Sequence, residues 1–411
     1  MKLYDELKWR GLINDITDQG LIDELNDGEI TFYIGTDPTG DSLHIGHFSS
    51  LLVAKRLKEA GHHPVMLVGG ATGFIGDPKA TGERNMLTKE ILETNYLALS
   101  KQIKELFGFK MVNNLDWTKD LTIIDFLRDI GKYFNINYMI NKETVKRRLD
   151  SGISYTEFSY MLMQAMDFLH LYENENVRLQ IGGQDQWGNI TSGLELIRKK
   201  HGADVKCYGL TMPLITKADG TKFGKSETGT VWLNKDKTSS YELYQFLINS
   251  EDAKVIDYLK KLTFLSREEI EALELAVKNE PFKRAAQKAL GKAVVTFLHG
   301  EDEYNKAVKI SNALFSGKIN ELNADEIKDA INGFEKIKTE DNITLTDLLV
   351  NAKIAGSKRE AREWISGNSI SVNGVKNTDP EFIMNKSQAI YQGCSIIRRG
   401  KKMYYVVDQN D

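Results

Sequence analysis

Ile30-Thr31-Phe32-Tyr33-Ile34-Gly35-Thr36-Asp37-Pro38-Thr39-Gly40-Asp41-Ser42-Leu43-His44-Ile45-Gly46-His47 is the stretch from which the rest of the chain is read. Its first six residues are rich in β-branched and aromatic side chains and predict a strand. Small and turn-forming residues follow. Phe48 to Ala60 then predicts a helix, with Leu51, Leu52 and Leu57 as apolar positions and Gly61 as its stop.

The same alternation recurs downstream. Pro64 to Gly70, Val177 to Ile181 and Val205 to Leu210 predict further strands, each bounded by glycine. Strands alternating with helices imply a parallel sheet covered on both faces, with ligands at the carboxyl ends of its strands. Gly35, Gly69-Gly70, Gly73, Gly76 and Gly182-Gly183 fall at those ends. The expected fold is therefore α/β: a Rossmann-like parallel-sheet domain over 1–230, interrupted by a helical insertion at 85–170. An all-α domain is expected over 231–325, where Leu243, Phe246 and Leu247, and Leu290, Val294 and Leu298, recur at helical spacing. Residues 326–341 are polar and read as a linker. A small α+β module is expected over 342–411, with helices around Leu345, Leu348, Leu349 and around Ala361, Trp364, Ile365. Ser369 to Val375 alternates and turns at Asn373-Gly374, a hairpin signal.

Composition narrows the function classes. With 41% hydrophobic and 27% charged residues the chain is of ordinary globular type. No apolar run reaches the roughly 18 residues of a membrane span, and Met1 to Arg10 lacks the apolar core of a secretory signal. Cys207 and Cys394, far apart and the only cysteines, fit a reducing cytoplasm and exclude a cysteine-rich zinc site. The net charge of −4 offers no general attraction to nucleic acid, so any such contact must be local.

A phosphate-binding site needs backbone N–H groups at a helix start together with cationic donors. The Asp37 to His47 segment supplies the helix start, and Gly46 leaves room for a flat base against the backbone. His44 and His47 lie one turn apart and can donate to phosphate oxygens; a pair of histidines capping the helix reads equally well. His62 and His63 raise the possibility of zinc, but no third ligand lies at motif spacing. Lys222 and Lys225 flank Gly224 in a loop of small polar residues, a mobile pair suited to charge that develops on departing phosphates. Neither a P-loop nor a GxGxxG turn before a helix occurs.

His44-Ile45-Gly46-His47 and Lys222-Phe223-Gly224-Lys225-Ser226 resemble the two signatures of class I aminoacyl-tRNA synthetases, and the Phe-Gly centre of the second resembles the bacterial tyrosyl type. Gly69 to Gly73 with Gly76-Asp77-Pro78, Tyr155 to Asp167, and Gln180 to Asn189 agree with it, over nearly the whole chain. The resemblance implies ATP as a substrate accompanied by Mg²⁺, with no tightly bound protein metal, and L-tyrosine and tRNA(Tyr) as partners. It matches Tyr33 and Asp167 to the substrate phenol, Asp77, Tyr160 and Gln164 to the α-ammonium, and Gln186 to the carboxyl group, with Asp37 in the same pocket. Gly35, Gly46, His47, Gly183 and Asp185 match positions around adenosine and ribose. Thr39, His44, Lys222 and Lys225 match contacts to pyrophosphate, and Arg84 resembles a basic residue on a second mobile loop. Ser50, where the family often has threonine, and Gln184 are mild departures.

The residues themselves agree in part. Tyr160, Gln164 and Asp167 share one helix face, although core packing would be the ordinary reading of such a face. Asp167, among Ala165, Met166, Phe168 and Leu169, needs a polar partner that a phenol would provide. Asp77 reads equally as a turn residue, and Asp185 as a cap for the next helix. The third region resembles the RNA-binding module of ribosomal protein S-four. Lys353, Lys358, Arg359 and Arg362, with Arg398, Arg399, Lys401 and Lys402, are its basic candidates. The resemblance further implies a homodimer, for which the Phe126, Leu127, Ile130, Tyr133 and Phe134 stripe is a candidate surface or else a core helix. A ligase for tryptophan and a non-catalytic RNA-binding protein on the same scaffold are the competing functions; Tyr33 with Asp167 speaks against the first, the histidines and lysines against the second.

Overall fold

The computed structural model describes residues 1–78, 86–226, 229–400 and 403–410, with residues 143, 144, 225 and 226 described by their backbone alone. Met1–Gly224 with Ile256–Phe264 form one unit, and Lys225–Val255 with Leu265–Asp411 another. Among the described residues no helix is long and apolar enough to cross a membrane.

The first unit is built on a sheet of β1 (Asp15–Ile16), β2 (Thr31–Thr36), β3 (His63–Val68), β4 (Lys110–Asn113), β5 (Val177–Gly183) and β6 (Tyr208–Met212), in the order β1-β6-β5-β2-β3-β4. The expected parallel arrangement holds for β2 to β6, but β1 adds an antiparallel edge against β6. β4 also corrects the helical insertion, for it lies inside 85–170 and pairs with β3. As an edge strand it is only half-buried, so it lacks the continuous apolar run that marks β3. From β2 the chain proceeds to β3 and β4 on one side, while β5 and β6 lie on the other. That reversal opens a crevice at the carboxyl ends of β2 and β5.

Period-two alternation divides the strands between two faces. Tyr33, Val65 and Leu67 pack with Ala165, Phe168 and Leu169 of the helix Tyr155–Glu175 and with Ile190 and Leu194 of the helix Trp187–His201. The helix after β2 spans Ile45–Glu59 and starts earlier than its apolar period indicates, because His44 caps it.

In the second unit, Ser240–Ile248, Ala285–His299 and Glu301–Ser316 are helices burying Leu243, Leu247, Leu290, Val294 and Ile310. The stretch read as a linker carries the helix Ala324–Asn332, capped by Asn323 and Glu326, and the strand Lys336–Lys338. Its few apolar residues, Ile327, Ala330 and Ile331, are spaced to share one face, which suffices for a helix packed on neighbours. Lys336–Lys338 joins a five-stranded sheet with Ile370–Val372, Val375–Lys376, Cys394–Arg399 and Met403–Asp408. The hairpin forms at Asn373 (φ 48°) and Gly374 (φ 83°), both left-handed as a tight Asn-Gly turn requires.

Candidate active site

Tyr33 is only 1% exposed, and its hydroxyl has no hydrogen-bond partner among the described residues. Burial and the neighbouring Asp167 charge hold its pKa well above the usual value, so it stays a phenol. Asp167, also buried, comes from the helix Tyr155–Glu175. Its Oδ2 accepts from Asn114 Nδ2 at 2.9 Å and its Oδ1 from Trp117 Nε1 at 2.9 Å. Burial pushes its pKa up to about 7, although both donors pull the other way.

One turn apart on the same helix, Tyr160 and Gln164 reach the next layer. The Tyr160 hydroxyl donates to Asp37 Oδ2 at 2.9 Å, and Asp37 Oδ1 accepts from Thr72 Oγ1 at 2.8 Å. Gln164 Nε2 donates to Gln186 Oε1 at 3.2 Å, and Gln186 Nε2 to Asp77 Oδ2 at 2.8 Å. Asn189 Nδ2 closes the ring with Asp77 Oδ1 at 3.2 Å and Gln164 Oε1 at 3.0 Å. Asp77 is raised to about 6, first by burial and further by Asp37, while Gln186 and Asn189 oppose the shift. A buried acid raised by a neighbouring acid is relieved by a cation, which is what an α-ammonium group supplies.

At the helix start, His44 and His47 do cap the helix. Gly46 N donates to His44 Nδ1 at 3.1 Å, and His44 N to His47 Nδ1 at 3.3 Å. The rings stack at 3.8 Å between centroids. Burial lowers the pKa of His44, and that of His47 to about 3, so both are neutral. A neutral ring that accepts at Nδ1 carries its proton on Nε2. The cap thus fixes the tautomer in which each Nε2–H is a donor, and capping and phosphate binding are compatible uses of the same residues.

Gly35 and Gly46 expose backbone at the crevice. A Cβ on Gly183 would come within 2.5 Å of Asp185 Oδ1. Asp185 is exposed and does not cap the following helix, which begins at Trp187 after a 3-10 turn over Gln184–Gln186 with Gln186 at the cap position. Thr39 is exposed, its N–H bonded to Asp37 O at 2.8 Å. In the lysine loop Phe223 is buried against Tyr258, with ring centroids 4.2 Å apart. A Cβ on Gly224 would lie 2.8 Å from Ile45 Cγ2, so the loop meets the helix start. Lys222 is exposed and its charge lowers the pKa of His44. The Lys225 backbone lies in a short strand paired with Gly229–Thr230; Arg84 lies outside the described residues.

Residues 25–316 match the family model for tRNA synthetases class I (W and Y), and residues 326–407 that for the Tyrosine--tRNA ligase SYY-like C-terminal domain. The tyrosine–tRNA ligase of Geobacillus stearothermophilus is 51% identical over 417 residues, covering 99% of each chain. The chain belongs to the tyrosine–tRNA ligase family. The ligase of Bacillus pumilus is 50% identical over 418 residues, again 99% of each chain. A C-terminally truncated mitochondrial tyrosyl-tRNA synthetase of Aspergillus nidulans superposes with a TM-score of 0.68 at 31% identity, covering 76% of this chain and 94% of that one.

Sequence reasoning missed Thr72, Asn114, Trp117 and Asn189 in this tyrosine–tRNA ligase family member. Asn114 directly follows β4, and recognising that strand would have placed it at the carboxyl edge. The remaining candidates are scattered. His62 is buried, bonded to Ile30 N and Leu25 O, and His63 pairs with Glu29. In the C-terminal module Lys353 and Arg359 are exposed, whereas Lys358 pairs with Asp347 at 2.5 Å and Arg362 with Glu381 at 3.4 Å. Arg399 lies 3.8 Å over the Trp364 ring; Lys401 and Lys402 lie outside the described residues. In the apolar stripe, Ile130 is buried and Phe126, Tyr133 and Phe134 pack on the core, so Ile123, Ile124, Leu127 and Ile136 form its exposed side.

Proposed function

We infer that this chain activates L-tyrosine with ATP and transfers it to the 3′ end of tRNA(Tyr). The observation that carries the reading is the buried Tyr33 hydroxyl beside Asp167, without a hydrogen-bond partner among the described residues. A phenol hydroxyl donates to Asp167 and accepts from Tyr33; a phenylalanine ring leaves both unpaired, costing about 1–3 kcal/mol for each such group. Asp77, Tyr160 and Gln164 hold the α-ammonium, and Gln186 lies by the carboxyl group.

The tyrosine carboxylate attacks the α-phosphorus of ATP, and the bond to pyrophosphate breaks. A terminal ribose hydroxyl of the tRNA then attacks the carbonyl carbon of the adenylate, releasing AMP. No side chain becomes covalently attached; positioning and charge stabilisation carry both steps. The Nε2–H group of His44, with Thr39, Lys222, Lys225 and Arg84, is assigned to the departing phosphates, and that of His47 to the adenosine and its ribose. Gly35, Asp37, Gly46, Gly183 and Asp185 surround adenosine. Mg²⁺ would be carried by the nucleotide and water rather than by a protein cage, and would supply charge neutralisation on the phosphates.

The catalytic domain covers 1–230, and the helices of 231–325 face the anticodon end of the tRNA. The module at 342–411 is of the S-four type and touches RNA backbone through Lys353, Lys358, Arg359 and Arg362. The chain works as a cytoplasmic homodimer joined near Ile123, Ile124 and Leu127. ATP–pyrophosphate exchange with tyrosine, phenylalanine and tryptophan in parallel tests the activation step. Exchange with tyrosine alone is expected; exchange with tryptophan, or none at all, overturns the reading.

A further inference from the structure

Asp167 is oriented by two donors that are themselves held very differently. Asn114 is fixed by its own network, since its Oδ1 accepts from Ala71 N at 2.7 Å and its Nδ2 reaches Thr72 Oγ1 at 3.0 Å. The Trp117 indole packs against the core but, among the described residues, its Nε1 bonds only to Asp167. It sits on the short helical turn Leu115–Thr118, whose cap position makes no side-chain hydrogen bond. The His170 ring lies against its indole, nearly parallel at 14° and 4.3 Å between centroids. His170 projects from the same helix as Asp167, one turn further on, and Asn174 Nδ2 lies 3.4 Å from its Nδ1 and donates to the His170 carbonyl oxygen at 2.9 Å.

We propose that His170 is a positioning residue for tyrosine selection: its flat ring holds the Trp117 indole in the plane from which Nε1 donates to Asp167. This rests on the reading of Asp167 as the acceptor of the substrate phenol. A stacked ring favours the orientation in which the bond is made, whereas an aliphatic side chain of similar volume lacks the flat face and holds that orientation less firmly. The role needs flatness rather than charge, so another aromatic ring at 170 preserves it.

The test uses full-length protein and ATP–pyrophosphate exchange. His170→Leu is expected to raise the KM for tyrosine, and to lower the tyrosine-over-phenylalanine preference, by about threefold to tenfold, the size of one stacked-pair coupling, with the KM for ATP unchanged. His170→Phe is expected to restore both. In a Trp117→Phe background His170→Leu should add nothing, since no donor remains to be oriented. Unchanged selection in His170→Leu, absence of rescue by His170→Phe, or additive effects in the double variant each overturn the proposal. Asp167→Asn separates the two readings. If it keeps full preference for tyrosine, the phenol pocket itself is misassigned and the proposal falls with it. If it loses preference while His170→Leu does not, only the role of His170 falls.

Discussion

Asn114 Nδ2 lies 2.9 Å from Asp167 Oδ2, joining the end of an edge strand to the middle of a helix far along the chain. The amide also bonds Ala71 N and Thr72 Oγ1, so one side chain ties three segments around the crevice floor. Asn114→Ala leaves a buried carboxyl short of a donor. Hydrogen bonds to charged groups contribute about 1.5–3 kcal/mol, so the KM for tyrosine should rise about tenfold to a hundredfold with ATP binding little altered. An unchanged tyrosine KM in exchange assays would rule out this role.

Tyr33→Phe removes a hydroxyl that has no hydrogen-bond partner among the described residues. Thermal unfolding should therefore show equal or slightly greater stability. Preference for tyrosine over phenylalanine should fall about threefold to tenfold, the loss of one neutral hydrogen bond. A marked loss of stability would mean that the hydroxyl has a structural partner.

Burial holds Asp167 at about 7 and Asp77 at about 6, above the ordinary carboxyl range. A carboxyl whose pKa is higher folded than unfolded favours folding at low pH and loses that contribution as pH rises through the folded value. The free protein should therefore lose stability between about pH 4 and pH 7 on account of these groups. Asp167→Asn, which cannot ionise, should gain on the parent across that window, by ~4 kcal/mol at most. Denaturant titrations at several pH values would measure the gap; parallel curves would show that Asp167 titrates normally. Tyrosine binding runs the opposite way, weakening below about pH 7 as the acceptor becomes protonated.

A Cβ on Gly69 would lie 2.1 Å from Thr72 Oγ1 and 2.4 Å from Asp37 Oδ1. Gly69→Ala must displace both partners and with them the Tyr160 bond to Asp37. Activity should drop by at least about a hundredfold, the scale of a 1 Å misplacement near reacting groups. Near-normal exchange by this variant would show that the Thr72–Asp37–Tyr160 arrangement is dispensable.

Tyr258 supports the lysine loop twice, through the Phe223 ring and through its hydroxyl, which donates to Thr216 O at 3.1 Å. Lysines that act on developing charge affect kcat more than ground-state binding. Tyr258→Ala should lower kcat for exchange about tenfold with the tyrosine KM nearly unchanged, because a loosened loop samples the closed position less often. A rise in KM alone would place its effect on substrate binding.

Local chemistry made much of the site legible in advance. Strand β2, the turn to the His44–His47 helix and the shared face of Tyr160, Gln164 and Asp167 follow from propensity and helical spacing, which act over a few residues. The Asn-Gly hairpin is legible for the same reason. Strand β4 and the helix Ala324–Asn332 were not, since half-buried elements carry too few apolar residues to outweigh their polar ones.

What the chain alone determined was the order of strand, turn and helix, and which side chains share a face. Which side chains meet was decided only by the tertiary fold. Asn114 and Trp117 come to Asp167, and Asn189 to Asp77, because the strand order reverses between β2 and β5 and brings distant segments to one crevice. Burial there excludes water, and it is burial, a property of no single residue, that raises the acids and keeps the histidines neutral.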